Sequence, residues 1–437
     1  MGVGSVFVGF AGMMGLLLMS LPIAVIMVVL GVIGGVMLYG WPLLNSMGPV
    51  IWGVQNENIL TAVPLFILLG ELLLRSGIAD RMYGALAIWL NRLPGGLLHT
   101  NIGCCALFAA TSGSSVATAA TVGTVALPNL KRRGYGARQA LGSLAAGGTL
   151  GILIPPSVNL LIYGSLANES IGQLFIAGII PGIALTLLFM VYIAVESYFI
   201  PASTGEDEPR APLSVKIAAL KHLVPPAIIF AVVMGSIYFG IATPTESAAL
   251  GVVVALAFAA REGKLSLEFF DNCFRQTAKT TGMILLIITA AFMLNVTLAL
   301  GGIAQTMTEW VASFGLSPWA LLMALIVFYL FLGMFMDVLS MQVLTIPVAL
   351  PIVTAVGIDP IWFGIFIVLM CELGMITPPV GMNLYVVQGV RTDGGPFRDV
   401  VLGAIPYALI MILFTILLIF VPQIVTWLPE TMSGLAR

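Results

Sequence analysis

Charge is what this sequence most conspicuously lacks. Among 437 residues there are 17 Lys and Arg, 19 Asp and Glu and 2 His, so charged residues make up 8% of the chain. A soluble domain carries about 25%. With 60% hydrophobic residues and a mean hydropathy of +1.11, the chain is excluded from the soluble globular class and reads as a polytopic membrane protein. The few charges sit in short clusters between long apolar stretches, which excludes a β-barrel and predicts helices. No basic stripe is present to hold nucleic acid. Cys104, Cys105, Cys273 and Cys371 show no metal-ligand spacing and read as small apolar residues without disulfides. His99 and His222 lie near loops, again without metal geometry. A phosphate loop, an HExxH pair and a nucleophile elbow are all missing, so an enzyme or an ATP-driven motor is not expected. The opening MGVGSVFVGF has no basic n-region and reads as a first span rather than a cleaved leader.

What is present is a duplicated break. Residues 148–157, GTLGILIPPS, are apolar, yet Pro155 and Pro156 remove two backbone donors and disfavour helix just before them. The same device recurs at residues 372–380, ELGMITPPV, with Gly151 and Gly374 separated by 223 (374 − 151). VALP at 125–128 recurs at 348–351 with the same offset (348 − 125), and GIIP at 178–181 is echoed by GAIP at 403–406. Inside a bilayer such a break is tolerated only where it packs in protein or lines a polar cavity. Two broken helices in matching positions of two halves point to a transporter binding site.

The spans follow in order. Residues 5–38 hold two short spans or one tilted one, with a turn at Ser20-Leu21-Pro22. Residues 41–58 form an interfacial arm bearing Trp41 and Trp52, 60–74 a span, and 80–93 a second interfacial helix. Between Arg92 and Lys131-Arg132-Arg133 lies apolar sequence with TSGSS at 111–115 near its centre. Positive charge at both ends places both in the cytoplasm, so this segment is a re-entrant hairpin with its Ser/Gly tip at the midplane. A span over 171–195 leads to the hydrophilic linker 203–222. In the second half the charge bias is reversed: 354–356 is uncharged where Lys131–Arg133 stood, and Arg391 and Arg398 replace the charge-poor ANES turn. Matching elements with opposite charge bias predict inverted repeats. The second hairpin then covers 317–351 with its tip at 333–337, residues 261–279 form the counterpart of the first arm, and both termini face outside.

Four segments therefore meet at the midplane: 111–115, 151–157, 333–337 and 374–383. Exposed carbonyls with Ser and Thr hydroxyls are hard ligands for Na⁺, whereas half-helix N-termini favour a carboxylate. Asp337, in FLGMFMDVLS, is an intramembrane carboxylate and a functional candidate by default. Glu372, just before the second break, reads equally as a helix-end contact. Glu71 stands i,i+4 to Arg75 and reads as a structural pair.

With SGSS, GTLGILIPPS, GMFMD and ELGMITPPVG on the page, the chain closely resembles, over essentially its whole length, the DctM-type large membrane subunit of TRAP (tripartite ATP-independent periplasmic) transporters. The resemblance implies an all-α polytopic elevator-type carrier of the ion-transporter class, driven by sodium, in the bacterial inner membrane. It implies as partners a separate small four-helix membrane subunit (Q type) and a periplasmic binding protein (P type) that captures a small organic anion, typically a carboxylate. Carried over position by position, the first Na⁺ site falls on Ser112 and Ser115 with the carbonyls of Gly151, Ile154 and Pro156. The second falls on Gly333, Met336, Thr377 and Val380, although Met336 and Val380 offer no side-chain oxygen. Ser112, Ser157 and Asp337 are the matching substrate contacts. The expected organisation is a first repeat over 1–200 (scaffold and arm 1–93, hairpin and broken helix 94–200) and a cytoplasmic linker over 201–223. A second repeat over 224–437 divides into 224–310 and 311–437. Two other readings fit the same pattern. One is a stand-alone sodium/dicarboxylate symporter, distinguished by transport without a binding protein. The other is a structural subunit, distinguished by the absence of sodium-dependent uptake.

Overall fold

The structure, a computed structural model, describes residues 2–19, 21–199 and 211–435. Among the described residues all regular structure is helical. The first half runs α1 (Val3–Leu18), α2 (Ile23–Tyr39), α3 (Pro42–Gln55), a 3₁₀ turn (Asn58–Thr61), α4 (Ala62–Arg75), α5 (Ile78–Leu90), α6 (Leu97–Ser112), α7 (Ser115–Arg132), α8 (Ala137–Leu153), α9 (Val158–Ala167) and α10 (Ile171–Phe199). After α11 (Leu213–Leu220) the second half runs α12 (Val224–Tyr238), α13 (Pro244–Arg261), α14 (Leu267–Leu300), α15 (Ile303–Ala312), α16 (Pro318–Gly333), α17 (Val338–Ala355), α18 (Pro360–Met375), α19 (Met382–Val390), α20 (Phe397–Phe420) and α21 (Gln423–Leu435). Six helices are long and apolar enough to cross a membrane, or up to eight if each bent pair counts as one span.

Local chemistry sets the boundaries. α13 opens on a capping box: the Thr243 Oγ1 accepts from the Glu246 N–H, the Glu246 carboxylate accepts from the Thr243 N–H at 2.8 Å, and Pro244 occupies the first helical position. Ser266 caps α14 and Asp359 caps α18 with a side-chain oxygen alone, accepting from the Phe269 and Trp362 N–H groups. α8 stops where Ile154 turns extended before Pro155-Pro156, and α9 restarts at Val158 with a bend of 42°. Carbonyls beside the two breaks accept from hydroxyl donors. Ser157 Oγ donates to Ile152 O at 2.6 Å, and Thr377 Oγ1 donates to Leu373 O at 2.6 Å. α6 and α16, at 16 residues each, are about 24 Å long, short of a ~30 Å hydrocarbon core.

The centre of the molecule is α8 and α18. Every residue from 140 to 153 and from 361 to 375 is buried, the property of helices apolar all round. Contacts between the halves come in exchangeable sets. α7 packs on α19 and α17 on α9; α8 packs on α20 and α18 on α10; α2 packs on α14 and α13 on α4.

Three expectations are refined. Residues 5–38 form two helices rather than one, with the turn between them; Ser20 lies outside the described residues. The second arm is not a separate element: residues 267–279 run without a break into the following span as the 34-residue α14, because no Gly or Pro interrupts them before Gly282. Of the linker, 201–210, including all of GEDEPR, lies outside the described residues. Residues 213–220 are helical, anchored on α5 where Trp89 Nε1 donates to Lys216 O at 3.0 Å and the Lys216 ammonium sits 5.3 Å from the Trp89 ring.

Candidate substrate and cation site

The first tip is a two-residue reversal. α6 ends at Ser112, Gly113 adopts the left-handed conformation (φ +60°) that a side chain disfavours, and Ser114 caps α7. The tip then interlocks with the first break, backbone against backbone. A Cβ on Gly113 would stand 2.7 Å from Pro156 O, and one on Gly151 would stand 2.6 Å from Ser114 O. The hydroxyl protons here are already assigned. Ser115 Oγ donates to Gly148 O (2.8 Å) and Thr149 O (3.2 Å). Thr118 Oγ1 donates to Ser114 O at 2.6 Å, so in its 3.1 Å pair with Ser112 the serine is the donor. Ser112 and Ser115 thus present lone pairs, beside carbonyls, to whatever occupies the site. That donor set fits a hard cation such as Na⁺ better than a carboxylate.

The second tip is built differently. α16 ends at Gly333, whose Cα lies so near that of Gly374 that a Cβ on Gly374 would meet it at 2.7 Å. The Val380 N–H donates to Met334 O at 3.2 Å, tying tip to break. Asp337 caps α17: its carboxylate accepts from the Leu339 N–H (3.1 Å), the Ser340 N–H (3.2 Å) and the Ser340 hydroxyl. A formal charge therefore stands where Ser114 stands in the first half. Met336 is buried and Thr377 spends its proton on Leu373 O, so any cation contact here would rely on backbone carbonyls and the Thr377 lone pairs.

Both tips face one cavity of about 590 Å³. The first turns of α7 (Ser115–Ala117), α9 (Val158, Asn159), α17 (Val338, Leu339) and α19 (Met382) all line it, so four helix N-termini converge on one space. Asp337 already neutralises the α17 end, and the dipoles and remaining N–H groups of the α7, α9 and α19 ends favour a negative ligand. The opposite wall is one face of α4 (Ile67, Gly70, Glu71, Leu74, Arg75) with Gln276, Thr280, Met283 and Ile284 of α14.

Of the residues expected from sequence, Ser112, Ser115 and Asp337 line the cavity, and Gly151 and Pro156 lie directly behind the first tip. Ile154 packs against Gly182 of α10. Gly333, Met336, Thr377 and Val380 stand together behind the second tip or at its edge, outside the cavity lining. Ser157 is fully buried as the cap of α9, accepting from the Leu160 N–H at 3.3 Å, and is turned away from the cavity. Glu372 is fully buried against the Leu153 backbone without closing a hydrogen bond. Sequence reasoning missed Asn159 and included Asn383 only as the last residue of the 374–383 segment. Each follows its tandem proline in an N-L pair (VNL, MNL), a repeat signal present in the sequence. Asn159 lines the cavity with Oδ1 unpaired, and Asn383 Nδ2 donates across the halves to Ala145 O at 3.3 Å. The Glu71–Arg75 pair forms as expected, at 3.0 Å, but it does so in the cavity wall.

Comparisons with known proteins agree with this architecture. The chain resembles two solved transporters in fold. The YdaH transporter of Alcanivorax borkumensis aligns with a TM-score of 0.63 at 14% identity, covering 96% of this chain and 98% of that one. Neisseria gonorrhoeae MtrF aligns at 0.50 and 12% identity over 86% and 82%. In sequence the chain is 34% identical to the C4-dicarboxylate TRAP transporter large permease protein DctM of Pseudomonas aeruginosa, over 90% of this chain and 92% of that protein. It is 31% identical to the sialic acid permease SiaM of Vibrio cholerae over 99% of each. It is 30% identical to the ectoine permease TeaC of Halomonas elongata over 96% and 98%. The family model for the tripartite ATP-independent periplasmic transporter DctM component matches residues 10–424. The chain belongs to the DctM family of TRAP transporter large permeases, membrane transport proteins and not enzymes.

Proposed function

We propose that the chain is the sodium-coupled permease of a three-part uptake system for a small organic anion, working by an elevator motion in a bacterial inner membrane. The observation that carries this reading is the cavity itself. Three helix N-termini, those of α7, α9 and α19, are placed to favour an anion, and beside them a serine tip whose protons are spent offers oxygen lone pairs to a cation. Sodium at Ser112 and Ser115, and a second ion behind Gly333 and Thr377, would order the two tips and so make anion binding depend on sodium. The exchangeable contacts between halves support inverted repeats over 1–200 and 224–437. On this reading α6–α10 and α16–α20 form the moving block, and α2–α5 with α12–α15 form the scaffold that receives the small membrane subunit. A periplasmic binding protein delivers the anion.

The test is uptake into proteoliposomes holding this chain and its small subunit, with substrate-loaded binding protein outside. The expected result is uptake only with both an inward sodium gradient and the binding protein. Uptake indifferent to sodium would sink the coupling, and uptake without the binding protein would move the chain to the stand-alone symporters.

A further inference from the structure

Among the described residues the cavity lining holds one cationic side chain, Arg75, the last residue of α4. It sits on the cavity face of α4 with a side-chain exposure of 33%, while Glu71 one turn earlier is 13% exposed. An i,i+4 pair on a helix surface contributes only a few tenths of a kcal/mol. The pair is also incomplete. The Arg75 hydrogen bond to Glu71 runs through Nε alone, at 3.0 Å, which leaves the two terminal nitrogens of the guanidinium without a partner in the wall. Those nitrogens are the fork that receives a carboxylate in bidentate fashion. Glu71 would then act as a resident counter-ion, balancing the charge of the arginine until an external carboxylate competes for it.

Resting on the uptake reading above, we infer that Arg75 is the scaffold-side ligand for the carboxylate of the transported anion, with Glu71 as its internal competitor. A carboxylate between Arg75 and the N-termini of α7 and α9 would be held from the scaffold and from both elements of the first half. Asp337, across the cavity, would repel a second carboxylate placed near the α17 tip. The favoured ligand is therefore an anion whose far end carries hydroxyl or ammonium donors rather than a second acid group.

The test uses the chain with its small subunit in lipid nanodiscs and the arginine reagent phenylglyoxal, with modification of each arginine followed by peptide mass spectrometry. Succinate, N-acetylneuraminate and ectoine are the probes. Arg275, which is 76% exposed and paired with Asp271, is the internal control. The expected result is that at least one probe slows modification of Arg75 about tenfold or more, the scale of a bidentate charge contact, while Arg275 is unaffected. Glu71→Gln should speed Arg75 modification without probe and lower the probe concentration needed for half-protection. N-acetylneuraminate or ectoine should protect better than succinate. Failure of all three probes to protect Arg75 overturns the assignment, and so does weaker protection in Glu71→Gln. Because the wild type itself is read, the outcome does not depend on a variant folding. Sodium-driven uptake with an unprotected Arg75 would remove this inference alone, whereas a protected Arg75 with sodium-independent uptake would remove the coupling and leave it standing.

Discussion

At the residue scale the site is decided by where protons go. Ser112, Ser115, Ser157 and Thr377 all donate to protein acceptors, but only the first two then face the cavity. Ser112→Ala and Ser115→Ala are expected to raise the sodium concentration for half-maximal uptake several-fold. Thr377→Ala should show the same direction with a smaller change. Ser157→Ala is expected to lower stability by about 1 kcal/mol, the usual loss of an N-cap, with the sodium dependence unaltered. Thermal unfolding and sodium titration of uptake, run on the same preparations, separate the two effects. Gly374→Ala places a methyl against the Gly333 backbone, and overpacking of this kind costs about 1–3 kcal/mol; the expected result is a lowered melting temperature together with loss of uptake. The residue types were legible in the sequence, since SGSS beside a repeated proline break is an uncommon pattern. The proton assignments were not. They depend on which carbonyls the folded chain brings within reach from 33 or more residues away, as Ser115 and Gly148 illustrate.

At the scale of elements the two halves differ most at their caps. α7 begins on a neutral hydroxyl and α17 on the carboxylate of Asp337, which neutralises its own helix end. Asp337→Asn keeps an N-capping side chain and removes the charge, whereas Asp337→Ala removes both. The alanine variant is expected to lose about 0.5–2 kcal/mol of stability and the asparagine variant little. If the charge serves transport, both should lose uptake equally; intact uptake in the asparagine variant would reduce Asp337 to a cap. Both breaks, both hairpins and their tips could be located from the sequence, because proline spacing and charge asymmetry are local signals. The joining of the second arm to its span was not anticipated. Polar residues such as Arg275, Gln276 and Lys279 suggested an interface helix, yet polarity on one face does not end a helix when no breaker follows.

At the scale of the whole molecule the halves are clasped at one end by an ionic chain. Arg138, at the start of α8, pairs with Asp399 at the start of α20, and Arg391 holds both Asp399 and Asp393. Hydrogen bonds from the Arg391 guanidinium hold the Asp393 carboxyl below the ordinary aspartate range. A carboxyl with a depressed folded value stabilises the fold above its unfolded value and loses that contribution as pH falls through the folded one. Arg391→Gln should therefore melt below the wild type at neutral pH, with the gap narrowing once pH drops below about 4. A gap independent of pH would mean that Arg391 acts through packing. The internal duplication that aligns these elements was visible in the 223-residue offset. The clasp itself was not, because Arg138 and Asp399 are far apart in the chain and only the packing of α8 on α20 brings them together.

α14 carries one more implication. Its 34 residues make a rod of about 51 Å, well beyond the ~30 Å of a hydrocarbon core. Gln276, Thr280 and Met283, which wall the cavity, stand on the same unbroken rod as the amphipathic stretch that begins at Leu267. In the first half, the corresponding arm and span are separate pieces joined through a short turn. A force applied to the outer end of α14, whether by a docked subunit or by lateral pressure from lipid, would reach the cavity wall without a hinge to absorb it. The same force applied to α3 would be taken up by the turn before α4. The molecule therefore has one stiff and one compliant handle on the same binding space.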